Sequence, residues 1–320
     1  ELTLGRTTPK LLRLSVRYVD RLHWITRIGI SAWRHRRIHD RVAKKVKGLE
    51  NFQMPKYAQL VMGPAGAGKS TYSSIVQEYF QASGRAVAHI INFDPAADTL
   101  RYEPSFDIRD YINIDDVTES ADLGPNGGLV QAMEYMVEEG CEWLEDRLAE
   151  YPDDDYLVFD CPGQIELYSH VSAMKVLVEI LRRNDFVVCG VYCIDCMFAT
   201  DASKLIAGML SALSAMALLE IPHVNVLTKC DLMKTRLSED LDVYDIIQSL
   251  HVGMDPRYRK LNEAFGRVLE EFSLVSFVEL DVTDEESIEL VIESINNSVH
   301  YGEDLEGRSP RSPREVEDDT

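Results

Sequence analysis

The chain has 320 residues, 45% apolar and 27% charged, proportions ordinary for a soluble globular protein with one large domain or two small ones. Its formal net charge of −21 is unevenly spread: residues 1–53 hold thirteen Lys/Arg against four Asp/Glu, a balance of +9, so the remainder carries −30. So acidic a body repels phosphate backbones, which argues against general nucleic-acid binding and leaves basic partners or small, locally cradled anions.

The opening stretch, "LLRLSVRYVDRLHWITRIGISAWRHRRIHDRVAKKVKG", is Arg-rich and acid-poor, as mitochondrial transit peptides are. Met54 opens "MPKYAQLVMG" just before the first strand and reads as a start point for the folded body, 54–301. Residues 1–53 are then a basic extension with three readings open: a targeting segment, a helical appendage, or an unstructured or artefactual addition.

From Met54 onward short apolar runs alternate with amphipathic ones. Strands are predicted at 57–62, 87–93, 156–160, 186–194, 223–227 and 275–280, and helices near 69–82, 128–149, 164–183, 200–220, 256–271 and 285–299. Nearly continuous apolar strands require burial on both faces. Strand–helix alternation gives an α/β fold with a parallel sheet and right-handed crossovers. Ligands of such sheets sit at the carboxyl ends of the strands, so the chemistry should lie in the loops that follow them.

The first such loop is "GPAGAGKST": Gly63, Pro64, Ala65, Gly66, Ala67, Gly68, Lys69, Ser70 and Thr71. This is the P-loop pattern, between a strand and a helix as it must be. Its glycines let consecutive N–H groups turn toward one anion, and the helix N-terminus adds partial positive charge. Lys69 is placed to reach the β- and γ-phosphates and Ser70 to ligate Mg²⁺. The second loop, "NFDPAAD", brings Asp94 to the same edge, to hold the metal through water or orient a nucleophile; an Asx-turn before Pro95 is the plainer alternative. The third, "DCPGQIE", ends a buried strand on Asp160, the Walker-B position that completes a Mg²⁺ shell. There Asp160-x-x-Gly163 has the spacing by which a glycine N–H senses a γ-phosphate, and Gln164 takes the place of a water-orienting glutamine. The fourth, "TKCD", supplies Thr228, Lys229 and Asp231: a carboxylate for guanine N1–H and its 2-amino group, with the lysine stem covering the base. Adenine would leave that carboxylate desolvated and unpaired. The fifth, "LDVTD" at 280–284, is in place for a backbone contact to the base but lacks the usual Ser-Ala-Lys. Arg101 and Arg109 are candidates for an arginine finger, neither assignable.

The six cysteines, Cys141, Cys161, Cys189, Cys193, Cys196 and Cys230, include one C-x-x-C with no second pair or histidines, and read as packed thiols of a reducing compartment, cytosol or nucleus. The longest uncharged run, 205–219, is shorter than the roughly twenty residues that span a bilayer. Its small residues, with Gly208 and Ala212 on one row and Ala207, Ser211 and Ala215 on another, read as a buried helix or as a subunit interface. The tail, 302–320, is charged, acidic and without core residues and is expected to be disordered, with Ser309-Pro and Ser312-Pro as candidate phosphorylation points.

Between the second and third loops lies Gly124-Pro125-Asn126. With "GPAGAGKST", "NFDPA", "DCPGQIELY" and "LTKCDL" around it in that order, the sequence resembles the GPN-loop GTPases over about residues 54–302. "MPKYAQLVMGPAGAGKSTY" and "SAMALLEIP" look most like the third eukaryotic paralogue. The resemblance implies a SIMIBI-like P-loop NTPase: a three-layer α/β/α domain with a mostly parallel sheet and a helical insertion carrying the tripeptide. It implies GTP/GDP and Mg²⁺ as cofactors, with Asp94, Gln164 and Glu166 positioning the metal shell and the attacking water. It implies homodimers, or heterodimers with a paralogue, in which Asn126 acts on the partner's phosphate site; alone, Pro-Asn-Gly-Gly would read as a turn. It further implies RNA polymerase II subunits as clients, a role in their assembly and nuclear import, and a cytoplasmic protein that shuttles to the nucleus, with no direct nucleic-acid or membrane contact. The basic head is not part of the family pattern.

The expected activity is hydrolysis of GTP to GDP and phosphate. A nucleotide-gated scaffold with negligible turnover is the alternative; a P-loop ATPase or small-molecule kinase is a third reading, set against by Asp231.

Overall fold

Strand β1, Lys56–Met62, is buried along its whole length, so both its faces need cover. Alternate side chains supply the two contacts. Tyr57 and Val61 pack with Tyr72, Val76 and Phe80 of helix α1, Lys69–Ser83, and with Val291 and Ile295 of helix α8, Glu285–Ser298. Ala58, Leu60 and Met62 pack on the opposite face, in a cluster with Met133, Leu144, Leu177, Met209 and Leu269. Those come from α3 (Pro125–Glu138), α4 (Glu142–Glu150), α5 (Ala173–Arg183), α6 (Ala202–Leu219) and α7 (Arg259–Glu271). Each such side chain contributes about 1.5–3 kcal/mol by burial. The expected three layers are therefore present.

The computed structural model describes residues 56–84, 86–138, 142–152, 154–169, 171–233, 256–271 and 275–301. The other strands are β2 (Ala88–Asn92), β3 (Phe106–Asp107), β4 (Tyr156–Asp160), β5 (Phe186–Asp195), β6 (His223–Thr228) and β7 (Phe277–Glu279). They form one seven-stranded sheet in the order β3-β2-β4-β1-β5-β6-β7, and every pairing is parallel. The chain leaves β1 toward one side of the sheet and, after β4, crosses to the other, so β1 lies at the switch point, where the loops after β1, β4 and β5 open a crevice. Buried Gln59 fixes α1 over this centre: Tyr72 donates to its Oε1 at 2.7 Å, and its Nε2 donates to the Tyr156 hydroxyl at 3.1 Å.

Four expectations are corrected. Strand β3 and helix α2, Ile114–Ala121, were not predicted. The helix expected over 128–149 is two, α3 and α4, on either side of residues 139–141, which lie outside the described residues. The helix expected at 164–183 is a short 3₁₀ turn, Ile165–Tyr168, and then α5; the Tyr168 hydroxyl reaches back to the Pro162 carbonyl. Helix α6 is longer than the uncharged run inside it: its 18 residues, with mean hydropathy 1.6, are long and apolar enough to cross a membrane. Leu205, Met209, Ala212 and Leu219 nevertheless belong to the core cluster, and a side chain at Gly208 would meet Ile194 Cδ1 at 3.0 Å, as in a buried helix. The 1–53 extension, the Met54 start, Cys141 and the tail with Ser309 and Ser312 lie outside the described residues. Cys161, Cys189, Cys193, Cys196 and Cys230 are free thiols, and burial pushes Cys193 up to about 12.

His223 at the start of β6 has a testable consequence. Its Nδ1 lies 2.9 Å from the Ile221 carbonyl, its Nε2 is buried without a partner among the described residues, and the ring sits over Gly190, 2.5 Å from where a Cβ would stand. Burial lowers its pKa, so the folded state favours the neutral ring. This group's contribution is complete above the unfolded-state pKa of about 6.5 and is lost as pH falls below it. Urea denaturation at pH 7.5 and pH 5.5 should show a smaller acid-induced loss for His223→Gln than for the unaltered protein; equal losses contradict the assignment.

Candidate functional site

The P-loop leaves β1 through Gly63, whose φ of +130° is one that L side chains rarely adopt, and a Cβ there would stand 2.1 Å from the Cys193 carbonyl oxygen. Only glycine lets the loop lie this close to β5. The loop then turns, with the Ala67 amide donating to the Pro64 carbonyl at 3.1 Å, and Gly68 in the left-handed region starts α1. Lys69 is buried, its ammonium donating to the Gly63 and Pro64 carbonyls at 3.2 and 3.3 Å. A side chain at Gly163 would stand 2.9 Å from Ala65 Cα and 3.1 Å from that ammonium, so the loops after β1 and β4 are in contact.

Two carboxyls, the buried Asp160 and the half-buried Asp94, bear on Lys69. Burial raises the pKa of Asp160, opposed by the Ser70 and Tyr102 hydroxyls and the Lys69 charge. Tyr102 donates to its Oδ2 at 2.7 Å, while Oδ1 is buried with no partner among the described residues. Burial also raises Asp94, opposed by the Ala96 amide and by Lys69, with the Asp160 charge adding to the rise. Asp94 makes the Asx-turn considered above, Oδ1 accepting from the Ala96 amide at 2.9 Å, and it still faces the same lysine. Ser70 and Asp160 offer a hydroxyl and an orphaned carboxylate oxygen, the hard donors a Mg²⁺ ion takes.

The base side is built on β6. Thr228 donates from Oγ1 to the Ala67 carbonyl at 2.6 Å and approaches Ile194 O at 3.1 Å. Lys229 follows with φ 62°, and its ammonium reaches Asp195 Oδ2 at 2.6 Å. Burial pushes the Asp195 carboxyl up, but the Lys229 ammonium and the Met197 amide outweigh it and hold it low. Asp231 lies in the following turn. The loop after β7 is tied alongside, the Cys230 amide donating to Leu280 O at 3.1 Å and the Leu280 amide to Leu227 O at 2.7 Å. A cavity of about 530 Å³ runs between the two sides, lined by Gly66, Gly68, Lys69, Ser70 and Thr71 at one end and by Thr228, Lys229, Asp231, Leu280 and Val282 at the other. The 280–284 loop thus reaches the cavity without Ser-Ala-Lys.

Of the two arginines, Arg101 lines the cavity and donates to Thr71 Oγ1 at 3.2 Å. Arg109 is engaged elsewhere, forked onto Asp107 and donating to Ala97 O at 2.8 Å. Gln164 is half-buried: its Nε2 donates to Asn126 Oδ1 of the same chain at 2.8 Å, and its Oε1 is buried without a partner among the described residues. Glu166 is exposed on the 3₁₀ turn, and neither it nor Asp94, Asn126, Asp160 or Gln164 lines the cavity.

A family model described as a conserved hypothetical ATP-binding protein matches residues 61–301. A GTPase from Pyrococcus abyssi, solved in its apo form, shares the fold with a TM-score of 0.62 at 22% identity, covering 76% of this chain and 97% of that one. A GPN-loop GTPase 3 from Dictyostelium discoideum is 48% identical over 264 residues, 80% of this chain and 92% of that protein. A Danio rerio protein of the same name is 45% identical over 267 residues, 81% and 93% of the two chains.

The chain belongs to the GPN-loop GTPase family. The tripeptide that names GPN-loop GTPases is not a free turn here: Pro125 opens α3, where its missing N–H costs nothing. Gly128 brings α3 against α2, since a Cβ there would stand 2.2 Å from Thr118 Oγ1. The resulting hairpin holds Asn126 against Gln164.

Sequence reasoning missed Tyr102, Asp195 and the Asn92–Asp107 bond, 2.8 Å, that ties β2 to β3. Asp195 ends a strand next to β1, which was a usable signal; Tyr102 sits in an irregular stretch that gave none. Thr228→Val tests the link between the two sides. Leaving the Ala67 carbonyl unpaired should cost about 1–3 kcal/mol, read as a lower urea midpoint together with weaker nucleotide binding; unchanged values contradict the link.

Proposed function

We propose that this GPN-loop GTPase binds GTP with Mg²⁺ in the cavity between the P-loop and the Thr228–Leu232 turn, and hydrolyses it to GDP and phosphate. The observation that carries this is the Thr228–Ala67 hydrogen bond, because it puts a guanine-reading carboxylate and a phosphate-binding loop on one cavity. Lys69 and the P-loop amides take up polyphosphate charge. Ser70 and Asp160 hold the cation, which when bound neutralises charge on the phosphates. Asp231 accepts from guanine N1–H and the 2-amino group, while Lys229, anchored on Asp195, lays its stem along the base. Although the matching family model is described as ATP-binding, adenine offers Asp231 no such donor pair. Gln164, held through Nε2, presents Oε1 to an attacking water, and Asp94 stands by as a second acceptor. Arg109 is committed to Asp107, which leaves Arg101, on the cavity wall beside Thr71, as the arginine nearer the phosphate end.

Family resemblance supports a wider setting: a dimeric switch, homodimer or heterodimer with a paralogue, acting in RNA polymerase II assembly and nuclear import from the cytoplasm. In such a dimer Asn126 would also face the partner's phosphate site. A second reading, a nucleotide-gated scaffold with negligible turnover, is favoured by the exposure of Glu166 and by the Asn126 contact that occupies Gln164.

Asp231→Asn should lose GTP affinity at least about a hundredfold and gain affinity for xanthosine triphosphate, leaving ATP binding weak as before; calorimetry showing no such change excludes guanine reading. Gln164→Leu should lower single-turnover hydrolysis roughly a hundredfold with GTP affinity little altered. Unchanged hydrolysis removes Gln164 from the mechanism, and full support of polymerase assembly by that variant favours the scaffold.

A further inference from the structure

We infer that Tyr102 is a positioning residue of the cation site, its hydroxyl fixing the Asp160 carboxylate so that one oxygen is turned to the metal. The inference rests on the reading that Ser70 and Asp160 hold Mg²⁺. Tyr102 lies between β2 and β3, half-buried, and donates to Asp160 Oδ2 at 2.7 Å. Asp160 is only 4% exposed, the bond itself is part-buried, and the Ser70 hydroxyl also bears on the carboxylate. The other oxygen, Oδ1, is buried and unpartnered among the described residues. A carboxylate with one oxygen pinned no longer rotates freely about its terminal torsion, and the unpinned oxygen keeps its full acceptor capacity for a cation. Polar groups that hold a metal's ligands in this way typically control affinity by roughly tenfold to hundredfold.

The neighbouring residue strengthens the geometry. Arg101 donates to Thr71 Oγ1 at 3.2 Å, so adjacent side chains of one segment touch the end of β4 and the first turn of α1, the two elements that carry Asp160 and Ser70. The segment spans the cation site from outside, and Tyr102 is the member that contacts a ligand directly.

The test follows release of a fluorescent GDP from the full chain, at graded Mg²⁺ and in EDTA. For the unaltered protein Mg²⁺ should slow release. Tyr102→Phe keeps the ring and removes the donor: release in EDTA should be unchanged, while the Mg²⁺ concentration giving half of the slowing should rise roughly tenfold. In an Asp160→Asn background the same substitution should add nothing, because the tyrosine acts through that carboxylate. A release rate insensitive to Mg²⁺ in the unaltered protein would overturn the cation site and the inference together. A normal Mg²⁺ response in both proteins would overturn the inference alone, as would faster release by the same factor in EDTA, which marks general loosening of the loop.

Discussion

The hydroxyl of Thr228 donating to the Ala67 carbonyl at 2.6 Å joins residues 161 positions apart in sequence. A nucleoside triphosphate is gripped at two ends by groups with no covalent reason to keep their separation, so that separation must be set by packing. Strand β6 is held to β5, and β5 to β1, by continuous parallel pairing. Gly63 then seats the loop directly on β5, and the buried hydroxyl closes the last gap. Loss of the Thr228 bond alone would loosen the link between the two sides by about 1–3 kcal/mol.

Charge explains why the phosphate end is built from buried parts. Outside its first 53 residues the sequence carries a large negative excess, a field that opposes a polyanion. The P-loop answers it with short-range donors and one buried lysine, which also bears on two carboxyls that burial raises, Asp94 and Asp160. The arrangement is incomplete without further positive charge, and a cation next to Asp160 Oδ1 would supply it. Arg109 is paired with Asp107 and the Ala97 carbonyl, and its charge bears on Asp94 alone of the two carboxyls.

Much of this was legible before any coordinates. Uninterrupted apolar runs such as "YLVFD" and "FVVCGVYCI" announced strands covered on both faces, and the rule that ligands gather at carboxyl ends led to Asp94, Asp160 and Asp231. What stayed hidden has physical causes. Strand β3 is two residues long, too short for any periodicity. Helix α2, "IDDVTESA", is only eight residues long, too short for its periodicity to stand out, although Asn113 and the acids after it are ordinary helix-start signals. The Gln164–Asn126 bond crosses 38 positions between two irregular starts, and no local pattern encodes such a meeting. Tyr102 was invisible because a phenol acquires meaning only from the carboxylate it touches. Glu166, which the resemblance places near the water, is exposed on the 3₁₀ turn Ile165–Tyr168.

The central claim is that base and phosphate are read together on one cavity. Competition calorimetry of the full chain, with GTP and ATP at saturating Mg²⁺, tests it most directly. The account predicts a preference for GTP of at least about a hundredfold, because adenine leaves Asp231 unpaired; equal affinities for the two nucleotides would contradict it.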